Sequence, residues 1–104
     1  MIRELPVTEL DLSQGATIWD VRDAKSFAEG HLKGAVNRPV DGLSAEALAS
    51  VPAGEPVYVL CGGGTKAPRA AALLDGFDAA RDVVVLTGGT RKAKAEGLPI
   101  ETGA

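Results

Sequence analysis

Cys61, the only cysteine among 104 residues, closes the apolar run Val57-Tyr58-Val59-Leu60 and is followed by Gly62-Gly63-Gly64 and Thr65-Lys66-Ala67-Pro68. The order strand, cysteine, glycine loop, helix start suits a reactive sulfur. Backbone N–H groups and the positive end of a helix can both be aimed at the sulfur, which favours a thiolate over a thiol. Most lone cysteines are simply small buried hydrophobes. Adjacent glycines argue otherwise here, because residues without a Cβ allow positive φ and the close backbone approach that an anion cradle needs. A thiolate held in this way is a nucleophile. Metal chemistry has less support: Asp11, Asp23, Glu29 and Asp41 are scattered acids without ligand spacing, and one histidine with one cysteine does not make a typical zinc site. Neither a metal nor a cofactor is expected.

The elements that must position Cys61 can be read from the hydrophobic pattern. Ala16–Val21, Val57–Leu60 and Val83–Leu86 are continuous apolar runs, expected of parallel strands buried on both faces. Between them the pattern predicts helices. One spans Ala24–Glu29, opened by Asp23 as N-cap and stopped at Gly30. A second spans Ser44–Ala49, without an acid or amide at the capping-box position. A third starts around Pro68, lines Ala70, Leu73, Leu74 and Phe77 along one face, and ends at Gly76. A last one runs from Thr90 to Glu96, stopped by Gly97 and Pro99. Strands alternating with helices imply a parallel sheet with its ligand site beyond the carboxyl ends of the strands. Right-handed crossovers bring Asp20-Val21-Arg22, Cys61 and Thr87-Gly88-Gly89 to that one edge.

Composition bounds the partners. With 45% hydrophobic and 24% charged residues the chain is an ordinary globular one, sized for one domain. A net charge of −3 and 4% aromatics leave neither a basic footprint nor a stacking platform, so nucleic acid is not an expected partner. The opening MIRELPVTELDL carries acids and no long apolar core, and no later run reaches membrane-spanning length, so neither a leader nor a membrane is expected. One cysteine cannot form an internal disulfide, which points to a reducing, cytoplasmic setting.

Several segments, in order, resemble single-domain rhodanese-like proteins. They are Ile18-Trp19-Asp20-Val21-Arg22, Phe27, Gly30-His31-Leu32-Lys33-Gly34-Ala35-Val36-Asn37, Tyr58-Val59-Leu60-Cys61 with its glycine loop, Ala70 to Leu74, Gly76-Phe77, Leu86, Gly88-Gly89 and Gly97-Leu98-Pro99. The resemblance runs from about Thr17 to Ile100. It implies a single domain over 1–104 with a three-layer α/β fold, a central parallel sheet of about five strands flanked by helices. It also implies a thiosulfate sulfurtransferase type of activity, in which Cys61 takes a sulfane sulfur from thiosulfate or another persulfide donor and passes it to a thiol or cyanide. Gly62, Gly63, Gly64, Thr65 and Lys66 would hold the substrate, Asp20 and Arg22 would form a supporting ion pair, and His31 would belong to a structural turn. Trp19 and Phe27 read as core.

The chain departs from that family's pattern at three places. Gly62 and Lys66 stand where arginines are often found, and an ammonium lacks the bidentate fork of a guanidinium. Arg69 and Arg91 are candidate replacements, although each reads first as solvated surface. Ala93 stands where a tryptophan is common, which leaves the last helix boundary open. Two other readings remain beside the enzyme. One is a persulfide relay that acts on a protein partner with little thiosulfate activity; the other is a binding module or a phosphatase relative. The phosphatase is disfavoured because Ala67 occupies the place of its phosphate-holding arginine.

Overall fold

The three apolar runs lie side by side in a computed structural model that describes residues 1–63 and 65–103. β2 (Thr17–Asp20), β5 (Val57–Leu60) and β6 (Val83–Thr87) form the middle of a five-stranded sheet, with β1 (Ile2–Pro6) beside β6 and β4 (Ala35–Asn37) beside β2. Every pairing in that sheet is parallel. The register Trp19↔Val59↔Val85 sends alternate residues to opposite faces. Trp19, Val57, Val59, Cys61, Val83 and Val85 enter one core, shared with Leu48 of α2 (Ala45–Ala49) and with α3 (Lys66–Phe77). Ile18, Leu60 and Leu86 enter the other, shared with Val7, Ala93 of α4 (Gly89–Ala95), and the antiparallel pair β3 (His31–Leu32) and β7 (Ile100–Glu101). The fold is therefore a three-layer α/β arrangement, and cover on both faces explains why the strands are apolar throughout.

Local capping sets the short helices. α1 (Ala24–Glu29) opens at Asp23, whose carboxylate accepts from the Ser26 N–H at 2.8 Å, and α2 opens at Ser44, whose Oγ accepts from the Ala47 N–H at 3.1 Å. α3 departs from its predicted form at both ends. It begins at Lys66, so that Pro68 lies within its first turn, and it passes through Gly76 to Phe77, where the Asp78 N–H closes on the Leu74 carbonyl at 3.0 Å. Its buried stripe is Ala67, Ala70, Ala71 and Leu74, whereas Leu73 and Phe77 are 39% and 43% exposed. The period of the stripe is the predicted one, begun one turn earlier at Ala67. Three alanines let the helix lie close to the strands, and this packing carries the helix across a glycine of low propensity.

α4 likewise spans Gly89–Ala95 rather than Thr90–Glu96, with Gly97 turning the chain out at φ 77°. Ala93 is wholly buried, packed in the same core as Val7 and Leu98. β1 had no sequence signal of its own, because Arg3 and Glu4 give this sheet-edge strand a polar look. At the amino end of the sheet the buried Arg81 donates to the carbonyls of Pro52 at 2.7 Å and of Val51 and Glu55 at 2.9 Å. Among the described residues no helix is long and apolar enough to cross a membrane.

The reassigned face of α3 is testable. Leu74→Ala is expected to cost about 2–5 kcal/mol, and Leu73→Ala about 0.5 kcal/mol or less, in urea denaturation. Equal losses at the two positions would contradict the packing described.

Candidate active site

Asp20 and Leu60 are register partners, and the Val21 N–H donates to the Leu60 carbonyl at 2.9 Å, so the next residue, Cys61, leaves the sheet beside Val21. Cys61 is 2% exposed and shares its core with Val21 and with Ala67 of α3. Its loop is clamped from the opposite layer. The Thr90 N–H donates to the Cys61 carbonyl at 2.8 Å, and the Arg91 N–H donates to the Gly62 carbonyl at 3.0 Å. These donors come from the first turn of α4, where N–H groups have no partner inside the helix. The approach depends on Gly89. At its φ of 59°, a Cβ would lie 2.4 Å from the Cys61 carbonyl oxygen.

The clamp also orients the loop's donors. No described peptide is cis, and in a trans peptide the carbonyl and the following N–H point opposite ways, so the N–H groups of Gly62 and Gly63 are directed away from α4. On the far side of the loop, Thr65 makes no side-chain cap to α3, so its hydroxyl does not take the donors of that helix's first turn. Loop amides and a helix start are what a sulfur anion requires.

Neighbouring charges are arranged around this edge. Asp20 is fully buried and accepts from the Arg22 guanidinium, Nε to Oδ1 at 2.9 Å and to Oδ2 at 3.2 Å and Nη2 to Oδ2 at 2.7 Å, and from the Arg22 backbone N–H at 3.1 Å, while Nη2 also donates to the Gly30 carbonyl at 2.7 Å. Asn37 Nδ2 donates to the Arg22 carbonyl at 2.9 Å, tying β4 to the same turn. The hydrogen bond to Asp20 holds the Arg22 guanidinium above its ordinary pKa against the effect of burial, and the charges of Asp20 and Cys61 add to the rise. The Ser26 backbone and side-chain hydrogen bonds hold Asp23 below the usual carboxylate range, with Lys66 and Arg22 adding smaller pulls.

The remaining sequence-predicted residues divide. Gly62 is half-buried, whereas Gly63, Thr65 and Lys66 are exposed; Gly64 lies outside the described residues. Arg91 is exposed as read, yet its guanidinium lies against the loop, 3.0–3.2 Å from where a Cβ on Gly63 would stand. The signal available was its place two residues beyond Gly88-Gly89. Arg69 is exposed and 3.6 Å from Asp41. His31 is buried, stacked on Phe27 at 3.7 Å, with Nδ1 2.8 Å from the Phe27 carbonyl. A cavity of about 440 Å³ beside Phe27 and His31 includes no loop residue, whereas one of about 240 Å³ is lined by Arg22, Gly62, Thr90, Arg91 and Lys94. Only the smaller one adjoins the cysteine loop.

A parallel α/β sheet with a cysteine-headed loop at the carboxyl end of its middle strand, running into a helix, defines the class of protein. Residues 7–96 match the family described as Rhodanese-like domain, and the chain belongs to that family. It is 37% identical over 97 residues to the thiosulfate sulfurtransferase GlpE of Pseudomonas putida, covering 90% of this chain and 83% of that protein. It is 32% identical over 88 residues to the HTH-type transcriptional regulator Rv0324 of Mycobacterium tuberculosis, covering 85% of this chain but 38% of that protein's length. The crystal structure of the Rhodanese_3 like domain of the Alr3790 protein from Anabaena sp. is similar at a TM-score of 0.75 and 32% identity, covering 86% of this chain and 94% of that one.

Gly89→Ala must displace the Cys61 carbonyl. It is expected to cost more than about 1 kcal/mol in thermal or urea unfolding and to speed alkylation of Cys61 by iodoacetamide several-fold. Gly63→Ala meets only the end of the Arg91 side chain, and its stability change should stay within about 1 kcal/mol. The reverse ranking would remove the clamp from this account.

Proposed function

We propose that the chain is a sulfurtransferase that moves a sulfane sulfur from thiosulfate or a persulfide donor, through a persulfide on Cys61, to a thiol or to cyanide. The observation that carries this reading is the clamped loop, in which Cys61 heads a run of oriented amides closed by α4 on one side and α3 on the other. The Cys61 thiolate attacks the outer sulfur of thiosulfate. A bond forms between Sγ and that sulfur, the sulfur–sulfur bond of thiosulfate breaks, and its electron pair leaves with sulfite. The acceptor then attacks the outer sulfur of the persulfide and returns the Cys61 thiolate.

Each residue has a stated task in this scheme. The amides of Gly62, Gly63, Thr65 and Lys66 stabilise the anionic persulfide and the transition state before it; losing one oriented donor in a comparable site costs about 3–4 kcal/mol. Asp20 and Arg22 hold the turn beside the loop and carry no proton in the reaction. The thiolate supplies the nucleophile and sulfite the leaving group, so the steps call on no metal or cofactor. The partners are a small sulfur donor and a thiol acceptor. A cytoplasmic setting suits a thiol that must stay reduced.

The exposure of Gly63, Thr65 and Lys66 suits a second reading as a persulfide relay acting on a protein partner with little thiosulfate activity. The two readings differ in whether small molecules or a protein load and unload Cys61.

Incubation with thiosulfate is expected to raise the intact mass by one sulfur atom, and Cys61→Ser should abolish both that increase and turnover with cyanide. Loading by a low-molecular-weight persulfide but not by thiosulfate would exclude thiosulfate as the donor and favour the relay. No loading by either donor would end the sulfurtransferase reading.

A further inference from the structure

The two outer strands of the sheet differ in character. β1 carries Arg3 and Glu4, charged residues of the kind that keep a sheet edge from pairing. β4 is Ala35-Val36-Asn37, without a charge, and its Val36 is 52% exposed. The hydrogen-bonding groups of β4 can be assigned to sides. The Arg38 N–H donates to the Asp20 carbonyl of β2 at 2.9 Å, and backbone groups alternate along a strand, so Val36 also faces β2 while the N–H and C=O of Ala35 and Asn37 face outward. Among the described residues these outward groups have no backbone partner. A second observation is independent of the backbone. The cavity of about 440 Å³ is lined by β4 on one side and by Ala24 and Phe27 of α1 on the other. His31 Nδ1 lies 2.8 Å from the Phe27 carbonyl, which can only accept, so the neutral ring carries its proton there and keeps a lone pair on Nε2. Nε2 is 4.0 Å from Glu101 Oε1, and both residues line the cavity. Two acceptors above an aromatic wall call for a donor, and Glu101, the one charged side chain lining the cavity among the described residues, calls for a cation.

We propose that β4 accepts an extended segment of a partner protein as a further strand, with a lysine or arginine of that segment filling the cavity. Outward N–H and C=O groups along an edge strand are satisfied by an extended backbone, which specifies the kind of partner. The stem of the basic side chain lies against Phe27 and its head meets Glu101 and His31 Nε2. Residues on either side of the cation point to the other face of the sheet, where Val36 offers an apolar contact suited to β-branched side chains. The segment recognised is therefore apolar, basic, apolar, and its charge complements a chain of net charge −3. β2 separates β4 from the strand that ends at Cys61, and no residue of the cysteine loop lines the cavity, so the proposal stands apart from the sulfurtransferase reading.

The blocked peptide Thr-Val-Lys-Val-Thr, which reads alike in both strand directions, is the probe. Added to the full chain, it is expected to shift the Ala35, Val36 and Asn37 amide resonances saturably and to slow hydrogen exchange several-fold at Ala35 and Asn37, the two amides that face outward. Glu101→Gln is expected to weaken this peptide about two- to fivefold and to leave its norleucine analogue, which lacks the charge, unaffected. N-methylation of the three central residues should abolish binding. Binding without slower exchange at Ala35 and Asn37, or equal binding of the N-methylated peptide, overturns strand addition. Equal losses of the lysine and norleucine peptides in Glu101→Gln overturn the placement of the cation. Absence of any shift at millimolar peptide overturns the site, and concentration-dependent shifts of the same amides in the protein alone assign the edge to a second copy of the chain instead.

Discussion

Two hydrogen bonds from the first turn of α4 to the carbonyls of Cys61 and Gly62 hold the cysteine loop in place, and they exist only because Gly89 lets the helix come that close. α4 is itself anchored by Ala93 in the core that contains Ile18, Leu60 and Leu86. The side chain of Cys61 belongs to the other core, with Ala67 and Val21. One layer of the protein therefore sets the backbone of the cysteine and the opposite layer sets its side chain. The sheet between them transmits both constraints, because β5 lies in its middle and is paired on both edges.

Electrostatics follows the same geometry. A fully buried carboxylate is costly unless it is paired and hydrogen-bonded, and Asp20 achieves this through the fork of Arg22. That pair ends β2 in a defined turn, to which Asn37 ties β4. Arg22 is thereby fixed against the cysteine loop, its side chain 3.7 Å from where a Cβ on Gly62 would stand. An overall acidic chain thus gathers positive charge at one edge of its sheet.

Much of this was legible in the sequence, for physical reasons that also mark the limits. The three apolar runs are readable because strands covered on both faces need apolar residues at most positions. Asp23 announced α1 because a carboxylate before a helix has one strong local use. The stripe of α3 was misplaced, since Leu73 and Phe77 share a helical period with Ala70 and Leu74, and alanines carry little hydrophobic signal although they permit the closest packing. β1 was invisible because a strand at the sheet edge can keep charged residues. The clamp was hidden for a different reason. Gly88-Gly89 could be read as a strand end, but the carbonyls it approaches belong to residues nearly thirty positions earlier. The same distance hid the contact of Arg91 with the loop.

The opposite end of the sheet is governed by a single side chain. Arg81 collects the carbonyls of Val51, Pro52 and Glu55, and so pins the connection into β5 to the turn that enters β6. The domain is therefore anchored at both ends of its sheet, by the Gly89 approach at the carboxyl edge and by this guanidinium at the amino edge. An inserted residue between 52 and 55 would pull the acceptors from a buried guanidinium and strand its charge, so that a change far from the cysteine would be felt along the strand that ends at it.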